Sequence, residues 1–103
     1  MTDQVYSKPT LEELRQKRVE ILQLAEQHDA YNVRVFGSLA RGEASAESDI
    51  DLLVSVRPHT SIFDLVGLWL ELKDLLGCEV DLSTDEGLKD YVRPQVLKDA
   101  VPL

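Results

Sequence analysis

Cysteine is almost missing from this chain. Cys78 stands alone among 103 residues, which excludes an internal disulfide and a multi-cysteine metal site. It reads as a small apolar side chain of the interior. Histidine is nearly as scarce. His28 and His59 have no second histidine or cysteine at metal-binding spacing, so both read as surface residues. No apolar run approaches the roughly 18 residues of a membrane span, and the polar N-terminus does not read as a signal peptide. The cytoplasm is therefore the expected location, with no membrane partner. Positive charge is short as well: 11 Lys and Arg stand against 19 Asp and Glu, a net charge of −8. With no run of Lys or Arg, direct nucleic-acid binding is disfavoured, because duplex affinity comes from neutralising phosphates. A basic protein partner suits the balance better. Repeats, low-complexity tracts and linkers are missing too, and the length is that of one domain, expected over 1–103.

What is present is concentrated in two runs. Val35-Phe36 ends an apolar stretch and is followed by Gly37-Ser38-Leu39-Ala40-Arg41-Gly42; ten residues intervene between Ser38 and Asp49-Ile50-Asp51, which lies inside a second apolar stretch. Glycine at 37 lets the backbone turn with no Cβ in the way. Ser38 then sits where a helix can start, with a hydroxyl and free N–H groups facing any anion placed there. Asp49 and Asp51 are two apart in a β-like run, so their carboxylates leave one face, with Cα atoms roughly 6.5–7 Å apart. Two such carboxylates can converge on one ion or clamp two. Oxygen-rich sites of this kind suit Mg²⁺, which shares its remaining ligands with water and substrate phosphates. A phosphate grip beside a metal platform is the equipment of phosphoryl or nucleotidyl transfer.

The rest of the chain reads as support. Met1–Lys8 is expected to fray. Thr10 and Glu13 are spaced as a capping box, opening one helix on Leu11, Leu14, Ile21, Leu22 and Ala25 that ends near His28-Asp29. A strand over Asn32–Phe36 precedes a short helix over Leu39–Glu43 and a polar loop to Ser48. The second strand, Ile50–Val56, sends Ile50, Leu52, Val54 and Val56 to the core. It sends Asp49, Asp51, Leu53 and Ser55 the other way. After a turn at Arg57–Thr60, Ser61 with Asp64 caps a helix whose stripe is Ile62, Leu65, Val66, Trp69, Leu72 and Leu76, closed by Gly77. Cys78–Ser83 alternates as a third strand. Leu88–Val92 reads as helical, and Pro94 opens a last helix carrying Val96, Leu97 and Ala100. The order implies an α/β (α+β) domain, a small mixed sheet with helices on one face.

Gly37-Ser38, the ten-residue interval and Asp49-Ile50-Asp51 resemble the signature of the DNA polymerase β-type nucleotidyltransferase superfamily. The fuller strings, Gly-Ser-Leu-Ala-Arg-Gly and Ser-Asp-Ile-Asp-Leu-Leu-Val, resemble its smallest members, the minimal nucleotidyltransferases or MntA-like antitoxins. The resemblance implies a palm-like core and a catalytic, metal-binding trio of Asp49, Asp51 and Asp81 holding Mg²⁺, as two ions. Glu79 is the rival for the third place. It also implies a nucleotide site of Gly37, Ser38 and Arg41 for the phosphates of ATP, with Ser48 orienting Asp49 or capping a turn. The implied reaction is AMP transfer to a hydroxyl, a tyrosine, of a cognate HEPN-family ribonuclease toxin bound as a hetero-oligomer. Two alternatives stay open: an antitoxin that neutralises by binding alone, and a small-molecule nucleotidyltransferase. Trp69 reads as core, and Tyr91 as a base-stacking or interface residue.

Overall fold

The Thr10–Glu13 box opens the chain as its spacing predicts. The Thr10 hydroxyl accepts from the Glu13 N–H at 3.1 Å, and the Glu13 carboxylate accepts from the Thr10 N–H at 2.8 Å. The computed structural model describes residues 10–43 and 49–103; the expected fraying over 1–8 and the role given to Ser48 lie outside them. The expected single first helix is two, α1 (Leu11–Gln16) and α2 (Arg18–Gln27). They meet at Lys17, whose φ of −100° and ψ of 16° leave the helical basin. Periodicity misses this break because both pieces bury the same stripe, Leu14 with Ile21 and Ala25.

Strand β1 (Ala30–Phe36) runs into the four-residue helix α3 (Gly37–Ala40), and β2 (Ile50–Val56) follows. Helix α4 (Ile62–Leu76) crosses over to β3 (Val80–Thr84), α5 (Arg93–Asp99) follows, and β4 (Val101–Pro102) closes the described fold. The sheet order is β3-β2-β1-β4, with β2 and β3 parallel and the other pairs antiparallel. The parallel pair needs the long α4 crossover, while the antiparallel β1–β2 pair needs only a short link. Asn32, at φ 54°, shifts the β1–β2 register between Tyr31 and Arg34.

Helix α4 is bounded as the sequence predicts. Ser61 and Asp64 form a capping box, and Gly77 closes the helix at φ 68°. Its buried face overlaps the predicted stripe only at its C-terminal half, where Leu72 and Leu76 are buried and Trp69 packs against the core. Leu68, Leu72 and Leu76 face the core, while Ile62 is 66% and Val66 43% exposed. So many apolar residues lie around this helix that their spacing fits more than one face. Leu53 departs as well: assigned to the acid-bearing side of β2, it is 0% exposed. Its register partners there are Arg34 and Ser83, beside an ion-pair network described below. Leu88–Val92 is a series of turns, not a helix. The Arg93 guanidinium holds it folded, donating to the Asp85 carbonyl at 2.6 Å and the Leu88 carbonyl at 3.0 Å. The two residues of β4 are too few to carry an alternating signal. No helix among the described residues is long and apolar enough to cross a membrane.

Candidate active site

The turn out of β1 is built around one carboxylate. Phe36 is the register partner of Asp51, so the next residue, Gly37, lies beside the Asp51 side chain. Gly37 takes φ +73°, and a Cβ there would press into Asp51 Oδ2 and stand 3.0 Å from Asp51 Cγ. Only glycine lets the main chain pass this close. The helix that follows has no side-chain cap from Phe36 at its start.

Across β2 and β3 the register sets Asp51 directly opposite Asp81. Paired residues on adjacent strands share a face, their backbones roughly 4.8 Å apart. Asp49, two residues before Asp51, meets Asp81 and Glu79 along a cavity of about 470 Å³ under the first half of α4. The predicted acids are thus gathered at one end of the β2–β3 pair. Among the described residues no three carboxylate, imidazole or thiol groups already close around one point; Asp51 is the register partner of Asp81, and Asp49 lines the same cavity as Asp81. A donor set made only of carboxylates fits a hard divalent cation.

A nucleotidyltransferase-domain family model matches residues 11–103. The chain belongs to the nucleotidyltransferase-domain family. A protein adenylyltransferase of Thermococcus cleftensis, MntA, is 37% identical over 79 residues, covering 77% of this chain and 80% of the relative. A solved structure of a minimal nucleotidyltransferase is 47% identical with a TM-score of 0.81, covering 91% of this chain and 96% of that one. A toxin–antitoxin structure with AMP-PNP shares the fold at 22% identity and a TM-score of 0.69, covering 82% of this chain and 69% of that one.

Within this nucleotidyltransferase, Ser38 sits in the first turn of α3, and its carbonyl accepts from the Glu43 N–H at 2.8 Å. Arg41, predicted to reach a phosphate, is engaged elsewhere. Its guanidinium meets Asp99 of α5 at 2.7 Å and Glu43 at 3.1 Å. Hydrogen bonds to Asp99 and then Glu43 raise its pKa above the ordinary value. To grip a phosphate it must exchange these partners. Glu79, the rival third acid, lies 3.4 Å from the Lys73 ammonium. That ammonium rests 4.4 Å from the centre of the Trp69 ring. Trp69 is half-buried and donates its indole N–H to the Val80 carbonyl at 2.7 Å. Tyr91 is exposed.

Two clusters escaped the sequence reading. Arg34 grips both oxygens of Asp85, at 2.8 and 3.0 Å, and Ser55 bonds the same carboxylate. Burial pushes the Asp85 carboxyl up, but hydrogen bonds from Ser55 and Arg34 and the charges of Arg34 and Arg93 outweigh it, and the net pKa lies below the ordinary value. His28, read as a surface residue, is partly buried and bonded to Glu71 on α4. Its ring lies over Gly67, where a Cβ would stand 3.0 Å away. These partners are 21 to 51 residues apart in the chain, and no local pattern announces them.

Proposed function

We propose that this chain transfers AMP from ATP to a tyrosine hydroxyl of a cognate HEPN-family ribonuclease toxin, and so acts as its antitoxin in the cytoplasm. The observation that carries this reading is the Asp51–Asp81 register with Gly37 passing against the Asp51 carboxylate. It is supported by the protein adenylyltransferase named among the relatives and by the toxin–antitoxin assembly that shares the fold.

Asp49, Asp51 and Asp81 would hold Mg²⁺, as two ions; bound there, the metal offsets the triphosphate charge and lowers the pKa of the acceptor hydroxyl. The turn at Gly37-Ser38 seats the phosphates on main-chain N–H groups and the Ser38 hydroxyl. Asp81 receives the hydroxyl proton, with Glu79 as its alternate. The hydroxyl oxygen bonds to the α-phosphorus, the bond to the β-phosphate oxygen breaks, and pyrophosphate leaves. The chain's part is position and fixed charge.

The test is to incubate the chain with its toxin, Mg²⁺ and labelled ATP and weigh the intact toxin. The toxin should gain one or more AMP units. Asp49→Asn with Asp51→Asn should abolish the gain while the complex still forms. A toxin neutralised without any gain in mass would leave an antitoxin that works by contact.

A further inference from the structure

The cavity that holds Asp49 and Asp81 continues along a groove between α4 and the outer edge of β3, and β3 is an edge strand. Its hydrogen-bond parity is fixed at both ends. The Ile50 N–H donates to the Glu79 carbonyl and the Asp85 N–H to the Val54 carbonyl, both at 3.1 Å. Odd-numbered residues of this segment therefore turn their main chain to β2, and Val80, Leu82 and Thr84 turn theirs outward. Val80 shows it, since its carbonyl takes the Trp69 indole N–H. The opposite wall is apolar: Ile62, Leu65, Val66 and Trp69 line it, and Ile62 and Val66 are exposed to solvent. Lys73, between Trp69 and Glu79, closes the far end.

We propose that this groove seats an extended segment of the acceptor protein, added as a strand on β3, which carries its hydroxyl to Asp81. The inference rests on the acceptor being a protein, as proposed above. The Val80 and Thr84 carbonyls already accept from the Trp69 indole and the Gly87 N–H, so strand addition would draw on the Leu82 N–H and carbonyl and the Val80 and Thr84 N–H groups, while the apolar wall of α4 takes alternate side chains. The occupant is apolar with flanking lysine or arginine, because Asp49, Glu79 and Asp81 line the same groove and the chain carries −8 overall. A second copy of this chain is a poor occupant: its own edge would bring Glu79 and Asp81 against their like.

Two measurements test this. The ¹⁵N-labelled chain is titrated with a nine-residue peptide of alternating valine and lysine carrying a central tyrosine. The outward amides of Val80, Leu82 and Thr84 should shift and exchange more slowly, and Ile62→Glu with Val66→Glu should weaken binding about tenfold or more. Unmoved β3 amides overturn the proposal. In AMP transfer to the toxin, Ile62→Ser with Val66→Ser should raise the acceptor KM about tenfold and leave the ATP KM in place. A wild-type acceptor KM overturns it equally. Failure of the enzymatic reading looks different: the unaltered chain transfers no AMP, while the peptide titration still reports on the groove.

Discussion

Gly37 is the residue on which the site turns. Its φ of +73° is one that side chains with a Cβ rarely adopt, and the space a Cβ needs belongs to the Asp51 carboxylate. Gly37→Ala should cost about 1–2 kcal/mol from the left-handed backbone alone. It should also cut AMP transfer by about a hundredfold, the order expected when a reacting group is displaced by about 1 Å. Thermal melting and kcat on the same preparation separate the two effects; a normal kcat would mean that Asp51 can move without consequence. Asp85 carries a different prediction. Its carboxyl is held below its ordinary value of 3.8 by Ser55, Arg34 and Arg93 against the opposing effect of burial. The unfolded chain therefore binds that proton more readily than the folded one. The resulting stability is present above the unfolded pKa and is lost as pH falls through the lower, folded value. Asp85→Asn should flatten the acid limb of the melting curve as pH falls below the ordinary carboxyl value of 3.8, leaving less to lose there. Parallel melting profiles for the two proteins would remove Asp85 from the acid response.

At the scale of elements, what was legible in the sequence was whatever is specified by neighbours a few residues apart. Both capping boxes, the Gly77 stop and the limits of β2 and α4 follow from local backbone needs, and each stands where the spacing predicts. Ser61→Ala should therefore lower stability by about 1 kcal/mol, read as a drop in melting temperature with AMP transfer retained; an unchanged melting temperature would show that the cap is redundant. The placement of Asp81 opposite Asp51 was partly legible, because alternation put each acid on the face of its own strand that points away from Ile50, Leu52, Val80 and Leu82. What failed needed knowledge of distant partners. The face of α4 was chosen by what the sheet offered, and the choice left Ile62 and Val66 out. The Asp99 partner of Arg41, 58 residues on, was likewise invisible to the local motif. The break at Lys17 and the two-residue β4 had no local signature, the latter existing because Arg34 and Val35 offer an edge to Val101 and Pro102.

The whole molecule sets an electrostatic problem that its chemistry must answer. A chain of −8, with Asp51, Asp81, Asp49 and Glu79 gathered at one end of the β2–β3 pair, repels the triphosphate it is proposed to bind. Arg41 offers little relief while Asp99 and Glu43 hold it. On the proposed reading a divalent cation strengthens nucleotide binding before any bond is made. Calorimetry with ATP should show the affinity falling by about tenfold or more when Mg²⁺ is replaced by EDTA, since like charges within about 4–6 Å are mutually unfavourable. Asp49→Asn with Asp51→Asn should reverse the sign of the effect. With Mg²⁺ the double variant should bind ATP more weakly than the parent, having lost the ligands that bridge protein to phosphate. In EDTA it should bind more tightly than the parent, because two repelling charges are gone. A parent protein that binds ATP equally well with and without the ion would mean that the acids do not face the phosphates, and the placement of the nucleotide beside Gly37 would have to be given up.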